Sequence, residues 1–306
     1  MTQLLLAIIY LAFISLGLPD SLLGSAWPTM YRQFAVPVSY AGILAMIIAV
    51  GTVISSLQSD RLTRRLGTGR VMVISVGMTA LALFGFSLSH SFGILCLWAI
   101  PYGLGAGSVD AALNNYVALH YASRHMSWLH CMWGVGASLG PYIMGAALTG
   151  GRGWNSGYRS IALLQLALTA ILAASLPLWK KHNAADNAQA QGTKALPLRE
   201  VVRIAGAKEV MLCFFCYCAL EQTTALWGSS YLALSRGFSA QDAARFASLF
   251  FLGITAGRAA SGFLTLVLND IKMMRLGQVL ILAGVGALAL PAGGFAKAGL
   301  LLIGLG

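Results

Sequence analysis

Long apolar runs broken by short polar stretches dominate the chain. Crossing a bilayer takes about 20 residues of helix. Runs of that size stand at 4–26, 38–58, 70–89, 92–118, 127–148, 158–179, 209–234, 243–268 and 276–292. They predict nine membrane-spanning helices, and Ala298 to Gly306 predicts the start of a tenth. The expected fold is all-α, with nine full spans plus the start of a tenth, cut short at the C-terminus. The one long polar interval runs from Lys180 to about Lys208 and divides the chain into residues 1–179, a cytoplasmic linker at 180–207, and 208–306. Within the linker, Leu196 to Ala207 sets Val201, Val202 and Ala205 on one side and Arg199 and Arg203 on another, as in a short helix at a membrane interface. A disordered tether is the alternative.

Composition excludes a water-soluble domain. With 58% hydrophobic and 9% charged residues, the chain has too little polar surface to cover itself, whereas lipid-facing helices need none. The net charge of +11 collects in short loops, with no basic stripe interleaved with aromatics, so nucleic acid is not the expected partner. Alternate loops hold unequal shares of Lys and Arg. One set includes Arg61, Arg64, Arg65, Lys180, Lys181 and Arg275, and the poorer set includes Arg32, Arg152 and Arg236. Positive loops stay inside, which predicts a cytoplasmic N-terminus and a multi-pass protein of the cell (inner) membrane. The first run lacks a basic leader and carries Pro19-Asp20, so it reads as a retained helix rather than a signal peptide.

Five cysteines lie inside apolar stretches, where they read as small packing residues; Cys213 and Cys216 lack the companion ligands of a metal site. No metal or cofactor is expected. Glycines repeat within spans, as at Gly103, Gly105 and Gly107 and at Gly134, Gly136, Gly140 and Gly145, and let membrane helices approach closely.

Three acids stand where a bilayer penalises them. Asp20, Asp110 and Glu221 fall in the first, fourth and seventh runs, and a charge at mid-membrane depth costs ~2.5–3.5 kcal/mol on insertion scales. Such residues face an interior cavity. Asp110 and Asn114 lie one turn apart on one helical face, with Asn115 beside them, and suit the binding of hydroxyls or the passage of a proton. Asp20 follows Pro19 and precedes Trp27-Pro28, which predicts a bend near the acid. Glu221, Gln222, Thr224 and Trp227 place acid, amide, hydroxyl and aromatic groups on one helix, a set that can hold a polar solute. Trp227 reads equally as an interfacial anchor. Arg258, within the eighth run, is expected to snorkel toward the headgroups. His130 and Trp133 open the fifth run as candidate lining residues, with His130 as a possible proton relay.

At these residues the chain resembles the Major Facilitator Superfamily, within it the fucose permease-like sugar and proton symporters. The carrying motifs are Leu18-Pro19-Asp20 through Trp27-Pro28, Asp110-x-x-x-Asn114-x-Tyr116, Leu129-His130 followed by Gly134 to Pro141, and Glu221 with Trp227 and Ser229-Ser230-Tyr231-Leu232. The loop signature of the superfamily is kept in part: Asp60, Arg61, Arg64 and Arg65 match, while Ser56, Gln58 and Thr63 replace two glycines and a leucine. In the second half, Leu266 stands where the motif has an acid. The resemblance implies two six-helix bundles alternating access to a central site, a cytoplasmic latch formed by Asp60, Arg61, Arg64 and Arg65, and proton coupling and solute binding at Asp20 and Asp110. The expected function is proton symport of a sugar or similar small polar solute by a monomer. The alternatives are a drug or metabolite efflux carrier, to which Gly136 to Gly145 also bears a likeness, and a non-transporting sensor or inactive fragment. No Ser-His pair or His-Glu-x-x-His motif suggests an enzyme.

Overall fold

The computed structural model describes residues 2–121, 123–190, 200, 202–264, 267–291 and 293–306. Helices follow one another throughout: α1 Thr2–Asp20, α2 Leu22–Gln33, α3 Ala41–Leu66, α4 Thr68–Leu88, α5 Phe92–His120, α6 Ser123–Thr149, α7 Gly153–Ala190, α8 Ala207–Ser235, α9 Ala240–Leu264, α10 Asp270–Ala289 and α11 Gly293–Leu305. No strand occurs among the described residues. Among the described residues, eight helical stretches are long and apolar enough to cross a membrane, with α1 and α2 together forming one of them, Leu4–Gln33. The 25-residue α9 has the length of a span but carries Asp242, Arg245 and Arg258. It lies among α6, α8 and α11.

Proline sets the break between α1 and α2. Pro19 has no N–H to give to the Ser15 carbonyl one turn back. That carbonyl instead accepts from Gln165 Nε2 of α7 at 2.7 Å, and Thr79 of α4 donates to Gln165 Oε1 at 2.8 Å. Ser21 forms the junction; its carbonyl accepts from Ser25 N at 3.3 Å and Ser25 Oγ at 2.6 Å. The bend expected from the sequence is thus present, at Asp20.

Small residues bring the helices together. A side chain at Gly136 or Gly140 would strike the carbonyl of Ile14 or Leu18, so α1 and α6 touch backbone to backbone. A hydroxyl ladder ties α3 to α5: Thr52 Oγ1 donates to Gly103 O (3.3 Å), Ser56 Oγ to Gly107 O (3.1 Å), and Ser55 and Ser108 share a bond at 2.8 Å. Ser56 therefore fills the place of a motif glycine with a cross-helix bond. Gly24 of α2 meets the Ala225 carbonyl of α8, and Gly134 of α6 meets Thr255 of α9. The early part of α8 is exposed, including Val210, Phe214 and Phe215.

Several boundaries differ from expectation. The first span runs to Gln33 rather than 26, since Trp27 and Met30 are fully buried on α2 and outweigh the polar residues around them. The last helix starts at Gly293; Lys297 lies within it, its ammonium 3.8 Å from the Phe246 ring centroid and 5.8 Å from that of Phe238. α7 continues into the polar interval as far as Ala190. Residues 191–199 and 201, which include the first part of the expected interfacial helix, and Leu266 lie outside the described residues. Arg203 N to Glu200 O and Ala207 N to Ile204 O close turns before α8. Cys213 and Cys216 are exposed, not core packers.

Candidate functional site

Asp20 is the residue at which several helices converge. The bend leaves its side chain exposed at the end of α1, with both oxygens bonded: Tyr102 OH of α5 donates to Oδ1 at 3.0 Å, and Trp133 Nε1 of α6 donates to Oδ2 at 2.9 Å. Neither donor carries a charge. The first span covers Leu4–Gln33, so Asp20 lies near its middle and not toward its outer end. Asp110 and Glu221 are close enough for their charges to act on it. The three acids drawn from distant parts of the sequence therefore share one electrostatic neighbourhood.

Glu221 has a different setting. Its Oε2 lies 3.8 Å from Arg258 Nη2, both side chains being largely buried. The guanidinium also donates to Tyr217 OH at 3.2 Å and to the His130 carbonyl at 3.4 Å, and its Cζ stands 4.9 Å from the Trp133 ring centroid. Snorkelling is therefore not what Arg258 does: an ion pair, two hydrogen bonds and an aromatic face hold it inside.

Asp110 accepts from Asn114 Nδ2 at 3.0 Å, as the one-turn spacing predicts. Its side chain is exposed and feels the Arg258 charge. The Asn114 carbonyl oxygen is buried and has no hydrogen-bond partner among the described residues. Asn115 is exposed but turned roughly 140° from Asp110, at about 100° per residue, so the two do not share a face.

The other expected lining residues divide. Trp133 belongs to the site through both Asp20 and Arg258. His130 contributes its carbonyl, while its ring meets Phe13 edge-on at 5.9 Å. Gln222 is exposed about 100° from Glu221. Thr224 donates to Leu220 O within its own helix, and Trp227 packs against a buried cluster that includes Trp27 and Leu22. Asp60 and Arg64 pair within α3 at 2.9 Å, both well exposed, where solvent screening leaves such a pair little weight. Arg61 and Arg65 are exposed beside them. Sequence reading missed Tyr102 and Tyr217, whose only signals are their places two turns before Asp110 and one turn before Glu221. No cluster of metal-ligating side chains occurs among the described residues.

Comparison with known proteins agrees with this architecture. Bypass of stop codon protein 6 of Saccharomyces cerevisiae is 24% identical over 279 residues, covering 83% of this chain and 55% of that protein. The chain thus spans about half the length of that relative. Among solved structures, the D-xylose-proton symporter superposes with a TM-score of 0.72 at 14% identity, over 98% of this chain and 78% of that one. The nucleoside transporter NupG gives 0.69 at 16% identity, over 98% and 78%. At those identities the likeness establishes the fold. The Major Facilitator Superfamily profile matches residues 9–306, and the chain is a member of that family of multi-pass membrane transporters.

Proposed function

We propose that the protein moves a sugar or comparably polar small solute together with protons, by alternating access, as a monomer of the cell inner membrane with its N-terminus in the cytoplasm. On this reading it belongs to the fucose permease-like branch, with bundles 1–179 and 208–306 joined by the linker at 180–207. The carrying observation is the pair of accessible acids, Asp20 and Asp110, neither in an ion pair among the described residues, beside an unpartnered Asn114 carbonyl. Accessible acceptors of this kind suit a solute rich in hydroxyls. A protonated carboxyl donates to such a solute and carries no charge; loss of the proton after reorientation weakens the grip and resets the carrier. The solved D-xylose-proton symporter supports the sugar reading by fold, NupG a polar solute more broadly.

Efflux draws no separate support, because Gly136 and Gly140 are accounted for by close packing on α1 and Gly145 by Arg245. Membrane vesicles in weak buffer test the proposal. Adding a transported sugar should alkalinise the outside medium, and Asp110→Asn should abolish that signal. Unchanged proton movement in the variant discards the mechanism.

A further inference from the structure

Asp20 and Arg258 share one side chain. The Trp133 indole N–H donates to Asp20 at 2.9 Å, and the same ring carries the Arg258 guanidinium at 4.9 Å. The acid side of this arrangement is rigid: a Cβ at Gly17 would strike the Trp133 carbonyl, so α1 and α6 are locked at that level. The cation side crosses to α9, whose Phe251 also meets the Trp133 ring edge-on at 6.4 Å. One indole therefore touches a titratable group on α1 and the counter-ion of Glu221.

An N–H that donates to an anion is polarised, and the density returned to the ring strengthens its attraction for a cation above it. When Asp20 gains a proton that increment is lost. Arg258 then has stronger alternatives already in place, Glu221 Oε2 at 3.8 Å and Tyr217 OH at 3.2 Å. We propose that Trp133 is a positioning residue that passes the charge state of Asp20 to Arg258, and through it to Glu221, so that α1, α8 and α9 respond to one proton. The consequence for transport rests on the carrier reading; the contact itself needs no solute to be tested.

Other charged and titratable groups surround the pair. Tyr102 and Asp110 of α5 and Glu221 of α8 act on Asp20, with Tyr158 of α7 behind Tyr102. Arg258 faces Glu221 and Tyr217 of α8, His130 and Cys131 of α6, and Asp110. Direct charge effects thus accompany any route through the ring, and only a double-mutant cycle separates them.

The protonation of Asp20 is read in the full chain from the infrared carboxyl stretch that disappears in Asp20→Asn, followed against pH. With Trp133 present, Arg258→Gln should raise the midpoint, by less than about one pH unit because only part of a cation–π contact depends on the charge of Asp20. With Trp133 replaced by benzothienylalanine, the same bicycle without its N–H, Arg258→Gln should displace it by much less. Arg258→Lys retains the charge, loses the planar stack, and should shift the midpoint only when Trp133 is present. Equal displacement in both backgrounds assigns the coupling to direct charge and overturns the proposal, as does no displacement in either. Absence of solute flux would instead sink the carrier reading and leave this titration intact.

Discussion

Asp20 lies near the middle of the first span and Glu221 near the middle of α8, and α2, the second half of that span, touches α8 at Gly24 and Ala225, yet the partners of the two acids differ in kind. Neutral donors, Tyr102 and Trp133, hold Asp20. A cation, Arg258, holds Glu221. Protonating Asp20 weakens two hydrogen bonds and strands no charge, while protonating Glu221 leaves a guanidinium inside the membrane without its counter-ion. We read the first acid as the one that changes charge and the second as a fixed member of an ion pair.

The comparison is broken most severely by separating the two helices. Gly24→Val would drive a side chain into the Ala225 carbonyl, an overpacking cost of about 3 kcal/mol, read as a fall in thermal stability. Ser229 and Ser230 of α8 are buried, with hydroxyls that find no hydrogen-bond partner among the described residues. Cysteines placed there should react with a water-soluble thiol reagent in the Gly24→Val background and stay protected without it. Protection in both would mean that this contact does not hold α2 against α8.

Removing the cation tests the second half of the comparison. Arg258→Leu leaves Glu221 unpaired and should cost about 2 kcal/mol, below the ~3–5 kcal/mol of a fully buried pair because the Arg258 side chain keeps 27% of its exposure. Glu221→Leu added to it should recover most of the loss. The smallest effect is expected at Asp20→Asn, under about 1 kcal/mol, since the amide still accepts one of the two hydrogen bonds. A melting-temperature series over these variants checks the order, and a larger loss in Asp20→Asn than in Arg258→Leu would reverse the assignment.

Sequence showed where the helices run better than which way they face. Hydropathy finds spans because lipid tolerates no exposed backbone, and Pro19 marks the bend through an elementary loss of a hydrogen bond. Lipid and protein interior are both apolar, however, so periodicity cannot tell a lipid-facing residue from a packed one. That is why Cys213 and Cys216 were misplaced, and why Asn115 was grouped with Asp110. The Asp110 and Asn114 pair was legible because both lie on one helix, four residues apart. Trp133 and Asp20 are separated by 113 positions, and Arg258 reaches Trp133 from a third helix. Nothing local in the sequence announces a contact of that range, so Arg258 read as a snorkelling cation and Tyr102 was overlooked.

Proton movement in sealed vesicles containing the full chain, recorded during solute uptake for Asp20→Asn beside Glu221→Gln, tests the difference between the two acids most directly. The account predicts that Asp20→Asn stops proton movement while solute still binds, and that Glu221→Gln retains most of it. Proton movement lost in Glu221→Gln and kept in Asp20→Asn would contradict it.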